Sequence, residues 1–417
     1  TQARQTLALR IDSEDAAPQR SSAARLRALK ALMAEHARVA QELGLARPSF
    51  AGVPVLDPFA LDALRAAASK NWGDRWLALD YFFDATRLYI VSVDQTQVRM
   101  DVRPWGWAEK QLLAQATHLH PDMRELVFNG TLHGRRIAAR ENILARLGEL
   151  VLPPRAQELT HGALLIAPHQ LLHQLAFQAL QIDGTFLAER VQVAYTPTLQ
   201  GYAQLCQNAA ANERAASDTL LVCGVKTFAH DDLARNLPTL RHTRREVNQI
   251  RRQYPSATVL WQSRAQRARL LEWNQTERLR DFSILHFATH ATLYADTPQL
   301  GAIELSQDAL TFLDITNLHL NARLVTLSAC AGNLGRGGSG DEWVSLARAF
   351  FYAGARALVA SLWEVDDEST TKLMELFYKG LARGESIAAA LAFAQRERMR
   401  QGASPLQWAP FVAIGNV

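Results

Sequence analysis

From Leu220 onward the chain alternates between short, almost wholly apolar runs and segments with a helical repeat, and few folds satisfy both. The apolar runs are LLVCGV (220–225), ATVLW (257–261), SILHFAT (283–289), LVTLSAC (324–330), RALVASLWEV (356–365) and FVAIG (411–415). Between them, TRREVNQIRRQY (243–254), RARLLEWNQT (267–276) and EWVSLARAFFYAG (342–354) have helical spacing. In the last, Trp343, Leu346, Ala347, Phe350 and Phe351 share one face and Gly354 closes the segment. A strand that is apolar at every position, not at every second one, has both faces covered. Such strands alternating with helices predict an α/β chain: a mostly parallel sheet sandwiched by helices.

The upstream part is less regular. LALDYFFDATRLYIVSVDQTQVRM (77–100) reads as a hairpin turning at DAT, and LLIAP (164–168) and VQVAYTPT (191–198) read as further strands. Residues 108–127 and 137–151 read as helical, as do 61–70 and 21–43, where Leu26, Leu29, Leu32, Met33 and Val39 recur near helical spacing behind Ser22. The small, polar stretch QNAAANERAASD (207–218) reads as a linker. The expected division is a helical extension (1–74), a first α/β half (75–212) and a second (213–417). The missing initiator Met leads us to expect a chain trimmed from something longer.

Composition narrows the function classes. A formal charge of +4 neither demands nor forbids an acidic partner. The three cysteines, Cys206, Cys223 and Cys330, are odd in number and lack CxxC spacing, which argues against a disulfide scaffold or thiolate zinc site and for a reducing compartment. No apolar run reaches the ~18 residues of a membrane span, and the start TQARQTLALRIDSED has no secretory layout. The expectation is a cytoplasmic protein with no metal and no cofactor. The basic run RHTRREVNQIRR (241–252) reads as the solvated face of a helix, so no nucleic-acid partner is expected.

Two of the apolar runs end in chemistry. FSILHFATHA (282–291) leads to His290 and LVTLSACAG (324–332) to Cys330. In parallel α/β sheets ligands bind outside the carboxyl ends of the strands, which is where both residues fall. A cysteine attacks as its thiolate; an imidazole can take the proton and return it to a leaving amine. The tetrahedral intermediate needs backbone N–H donors, for which Ala291 and Cys330 itself are the candidates. Spacing alone leaves Cys330 open between a packed core thiol and a nucleophile; Cys223 reads as packed. His286 and His290 lie about 13 Å apart along a strand, too far for one metal, and no Glu stands between them as in HExxH. His286 reads as a core histidine. The Gly-rich AGNLGRGGSGD (331–341) lacks the Lys-Ser/Thr of a phosphate loop, and Ser339 to Glu342 reads as a capping box.

Taken together, LHFATHA, LVTLSACAG, GSGDEWVSLARAFFYAGARALVASLWEVDDEST and PLQWAPFVAIG, preceded by APHQLLHQLAFQAL, VQVAYTPTL and NLPTLRHTRREV, resemble the CHAT domain, a branch of the caspase-like cysteine peptidases related to separase. The resemblance covers roughly 75–417. It implies a caspase-like fold whose first half is an inactive, pseudo-caspase-like copy, a His290–Cys330 dyad, and tetratricopeptide repeats upstream. It also implies a protein substrate, such as a gasdermin-like protein or a regulator, and an activating partner in bacterial defence or regulated proteolysis. Relatives that cut after Lys or Arg carry an acid two residues before the nucleophile; here that position is Ser328, so a neutral P1 residue is expected, with Asp341, Asp366 or Asp367 as other sources of charge. Ser361, Leu362 and Trp363 resemble the segment that pairs with substrate and walls its S1 pocket. Residues 331–341 are expected to rearrange on activation, and 207–218 is a candidate for self-cleavage. The competing readings are a catalytically silent interaction module of the same fold and a thiol hydrolase or acyltransferase acting on a small substrate.

Overall fold

The computed structural model describes residues 61–117, 131–132, 135–136, 143–211, 218–229, 237–293, 301–332 and 341–417. The expected helix at 21–43, the end of the one at 108–127 and the capping residue Ser339 lie outside them. The architecture below is that of the compact unit formed by Pro58–Phe228 and Thr239–Val417.

In chain order the strands of the main sheet are β1 (Trp76–Phe83), β2 (Arg87–Val93), β3 (Val98–Pro104), β4 (Ala163–Ala167), β5 (Gln192–Tyr195), β6 (Leu220–Gly224), β7 (Thr258–Trp261), β8 (Ile284–Thr292), β9 (Ala302–Glu304), β10 (Ala309–Thr311), β11 (Leu324–Gly332), β12 (Ala357–Ser361) and β13 (Phe411–Gly415). The longer helices are α1 (Leu61–Trp72), α2 (Trp107–Thr117), α3 (Ile143–Val151), α4 (Leu199–Ala211), α5 (Thr243–Gln253), α6 (Arg267–Gln275), α7 (Asp341–Tyr352), α8 (Asp367–Ala382) and α9 (Ile387–Arg400). The sheet order is β7-β6-β8-β11-β12-β13-β5-β4-β1-β2-β3, with β9 and β10 joined to β8 off this path. Pairing is parallel from β7 to β12 and from β13 to β1, and antiparallel at β12–β13 and in the β1–β2–β3 meander. The expected mostly parallel α/β sheet is what forms. Strands from Trp76–Tyr195 and those from Leu220–Gly415 occupy separate blocks that meet where β13 pairs with β5.

The burial of β8 at every position, and the apolar residues on both faces of β8 and β11, are explained by two cores, one on each face. Leu285, Phe287, Val325 and Leu327 pack with Leu346 and Phe350 of α7 and with Leu270 and Trp273 of α6. Ile284, Ala288 and Leu324 pack instead in a larger core with Val247 and Ile250 of α5 and Phe377 and Tyr378 of α8. At ~1.5–3 kcal/mol for each fully buried large side chain, both faces of these strands are held firmly. On α5 the buried residues are Thr243, Glu246, Val247 and Ile250, while Arg244, Arg245, Arg251 and Arg252 face solvent, so the basic run is a solvated helix face.

Three local expectations are corrected. The upstream hairpin gains a third strand, β3, whose VRMDVRP sequence mixes charged and apolar residues at an exposed edge and so carries little strand signal. Residues 207–211 of the expected linker belong to α4, because alanine is the best helix former; residues 212–217 lie outside the described ones. The strand expected over 356–365 stops at Ser361, where the Leu362 N–H turns to the Pro410 carbonyl at 2.8 Å.

Gly354 closes α7 with φ +106°, and a Cβ there would sit 2.3 Å from the Leu320 carbonyl oxygen. The Gly354→Ala variant is therefore expected to lose ~1–3 kcal/mol of stability, read as a lower urea midpoint at unchanged m-value.

Candidate active site

The site is built on the pairing of β8 with β11. The register runs from Ile284↔Leu324 through Ala288↔Ser328 and His290↔Cys330 to Thr292↔Gly332. Neighbouring strands lie about 4.8 Å apart and register partners share a face of the pleat, so positions 290 and 330 stand side by side on the face covered by α5 and α8. Neither residue ends its strand, as the sequence led us to expect; both strands run two residues further. The reason is β9, which folds back antiparallel and pairs Ala291 with Ile303 and Thr292 with Ala302, keeping these residues in the ladder.

His290 is 3% exposed and its ring lies 5.1 Å from that of Phe228, which follows β6. The start of α8 brings in Asp366 and Asp367. Asp366 caps the helix, accepting the Ser369 N–H at 2.8 Å, while Asp367 accepts the main-chain N–H of His242. Burial raises the Asp367 carboxyl above the usual range, opposed by the His242 N–H bond and by the charges of His242 and His290, with Glu246 adding to the rise.

One pleat below His290 and Cys330 are Ala288 and Ser328. Ser328 is 6% exposed, and its hydroxyl has no hydrogen-bond partner among the described residues. One pleat lower again the face closes into a buried polar network. His286 Nδ1 is 3.0 Å from the Tyr378 hydroxyl, and its Nε2 is 2.9 Å from Glu246 Oε1. The Tyr378 hydroxyl donates to Thr326 Oγ1 at 3.1 Å, and Thr326 is the register partner of His286. His286 is fully buried and both ring nitrogens are engaged, so it is a core histidine. Burial pushes the Tyr378 phenol far above its usual range, so it stays a neutral donor.

The remaining sequence candidates are placed differently. Ala291 sits between two strands, paired with Ile303 of β9 and Ala331 of β11, so its main chain lies inside a ladder on both sides. Asp341 is the first residue of α7. Ser361 ends β12, which is flanked by β11 and β13, and the Leu362 N–H is taken by Pro410. Leu362 and Trp363 are buried at 5% and 3% exposure in the larger core, and Trp363 Nε1 donates to the Leu406 carbonyl at 3.1 Å. Main chain able to pair with another peptide therefore begins only after Leu362. Of 331–341, Ala331 and Gly332 complete β11 and Asp341 begins α7; 333–340 lie outside the described residues.

Two buried acids escaped the sequence reading. Glu246 occupies an apolar position of the α5 stripe: counted from Thr243, the buried Glu246, Val247 and Ile250 fall three, four and seven residues on, as core residues would. Glu304 is fully buried at the end of β9, inside the run AIEL. An acid within an otherwise apolar stripe or run was the available signal in both cases.

The CHAT domain profile matches residues 141–416. Among curated proteins, tetratricopeptide repeat protein 28 from Mus musculus is 33% identical over 109 residues, 26% of this chain and 4% of its own length. Its Homo sapiens counterpart is 31% identical over 114 residues, 27% of this chain and 5% of its own length. The chain thus spans a small fraction of the relatives it matches. Among solved structures, the Arg-specific cysteine proteinase gingipain R is 12% identical with a TM-score of 0.41, covering 66% of this chain and 67% of its own. The Saccharomyces cerevisiae separase–securin complex is 13% identical with a TM-score of 0.39, covering 99% of this chain and 27% of its own.

The polar network below the candidate dyad can be tested apart from it. Tyr378→Phe removes the hydroxyl that serves both His286 and Thr326 and leaves a buried imidazole nitrogen unpaired. The expected loss is ~1–3 kcal/mol of stability by chemical denaturation, with the reactivity of Cys330 toward alkylating reagents unchanged.

Proposed function

Because the chain belongs to the CHAT domain family, we propose that it is a cysteine endopeptidase in which Cys330 attacks the scissile carbonyl and His290 manages the proton. The observation that carries this reading is the register His290↔Cys330 at the carboxyl end of adjacent parallel strands. It sets an imidazole-bearing position beside a thiol-bearing one on the same face. In the reaction the Cys330 proton passes to His290, the thiolate adds to the carbonyl, and the imidazolium protonates the departing amine. Water then hydrolyses the acyl-enzyme with His290 acting as base.

The same face bears on specificity. Ser328 supplies a neutral hydroxyl one pleat from the nucleophile, where an acid would favour Lys or Arg. Asp366 and Asp367 are engaged with Ser369 and His242. The substrate residue before the cut is therefore a neutral one of medium size. The substrate itself is a protein segment, and activity is switched on by a partner. In support of a switch, His290 is only 3% exposed and the β8–β11 ladder is closed past it.

Two measurements test the dyad. Burial pushes the Cys206 thiol up to about 11 and the Cys223 thiol up to about 12, so neither offers much thiolate near neutral pH. Iodoacetamide at pH 7, read by peptide mapping, is expected to modify Cys330 first. In a peptide library digested by the activated protein, cleavage is expected to vanish in Cys330→Ala and in His290→Ala, both of which keep their fold. Cleavage persisting in either variant removes the dyad. A dominant Lys or Arg before the cut sites removes the specificity assignment alone.

A further inference from the structure

Glu304 is fully buried, and no step described so far uses it. It lies on β9, whose antiparallel register with β8 pairs Thr292 with Ala302 and Ala291 with Ile303. The next step along the same register sets Glu304 opposite His290. Residues directly opposite in an antiparallel pair share a face, with Cβ atoms about 4.5–5.5 Å apart. Two threonines that flank His290 fix Glu304 there: Thr289 Oγ1 donates to its main-chain carbonyl at 2.5 Å, and Thr292 Oγ1 donates to its carboxylate.

We infer that Glu304 is the positioning residue for His290, holding the imidazole in orientation and sustaining its protonated form beside Cys330. The inference rests on the His290–Cys330 reading and completes it as β9–β8–β11: carboxylate, imidazole and thiol at one level of three neighbouring strands. The step it assists is the transfer of the Cys330 proton to His290, which leaves a thiolate and an imidazolium, the latter next to the Glu304 carboxylate. A carboxylate beside the ring stabilises the imidazolium that this transfer forms, and with it the thiolate left on Cys330.

Other charged and titratable groups pack around His290 from neighbouring elements. From α5, Glu246 bonds to His286 at 2.9 Å, and His242 uses its main-chain N–H on Asp367. From α8, Asp367 feels the charge of His290, but it is half-buried and already accepts that N–H. Lys226, in the segment after β6, is exposed. On β8 itself His286 is one network away, with both nitrogens engaged.

The test is the pH dependence of Cys330 alkylation by iodoacetamide on the full chain, followed by peptide mapping so that no substrate is needed. The variants are Glu304→Gln, Glu304→Asp and His290→Ala, with thermal melts as fold controls. Glutamine keeps the size and an acceptor for Thr292, so a purely structural role would be met by it. The expected result is that Glu304→Gln slows alkylation near pH 7 about tenfold, the change one pKa unit makes in thiolate fraction. The curve should shift in the same direction as for His290→Ala, and Glu304→Asp should restore most of the rate. If Glu304→Gln fails to fold, Thr292→Val, which removes the hydroxyl on the carboxylate, is expected to give a smaller shift in that direction. A Glu304→Gln curve superimposed on wild type while His290→Ala shifts overturns the role of Glu304 and leaves the dyad standing. No shift in His290→Ala overturns the dyad itself, and Glu304 with it.

Discussion

The register between β8 and β11 is the constraint on which the rest of the molecule depends. A strand buried on both faces has no neutral way to slip, because moving one residue exchanges its two faces. Here the exchange would drive Leu285 and Phe287 out of the core with α6 and α7 and into the one with α5 and α8. It would also strand His286 without Glu246 and Tyr378, and an unpaired buried polar group costs ~1–3 kcal/mol. Packing on one face and hydrogen bonding on the other therefore select the same alignment. The placement of position 290 beside position 330 follows from forces acting two to four residues earlier in both strands.

The same strand shows how surroundings decide what a histidine does. His286 and His290 share a face of β8, separated by two pleats. The first has a carboxylate and a phenol on its two nitrogens and no exposure, so it serves as a joint between β8, α5 and α8. The second sits toward the carboxyl end of the sheet, near Asp367 at the start of α8 and with a ring from the segment after β6 against it. Along the face, the buried network is followed by the hydroxyl of Ser328, unbonded among the described residues, and then by positions 290 and 330.

Much of this was legible in the chain because buried parallel strands are apolar at nearly every position. The six runs after Leu220 each became a strand of the main sheet, and the helices between them were marked by their stripes. What local pattern could not carry was pairing. β8 and β11 run past His290 and Cys330 because β9, a three-residue strand after a separate stretch of chain, gives their last residues a partner. Glu246 and Glu304 were hidden for the same reason: an acid is tolerated in a core position only by virtue of a partner that is distant in sequence. The alanines of 207–211 misled in the opposite way, since small residues without an apolar stripe suit a linker and a helix equally well.

The pairing that creates the site also restrains it. Ala291 and Thr292 are held by β9 on one side and β11 on the other, so main-chain donors near the dyad stay within ladders while these last pairs are closed. Each hydrogen bond of such an end contributes only ~0.5–1.5 kcal/mol net. Freeing two or three of them would take a few kcal/mol at most, against the far larger cost of moving the cores behind them. A two-state element with a gap of that size leaves the open form a minor population, and a partner shifts it only by its preference for one state. Reversing a ratio of 1:99 needs about 5.5 kcal/mol of preference, within reach of an ordinary protein interface. The deep part of β8 and β11 can thus stay fixed, preserving the alignment of position 290 with position 330, while the last two residues of each strand are the part of the ladder that costs least to release.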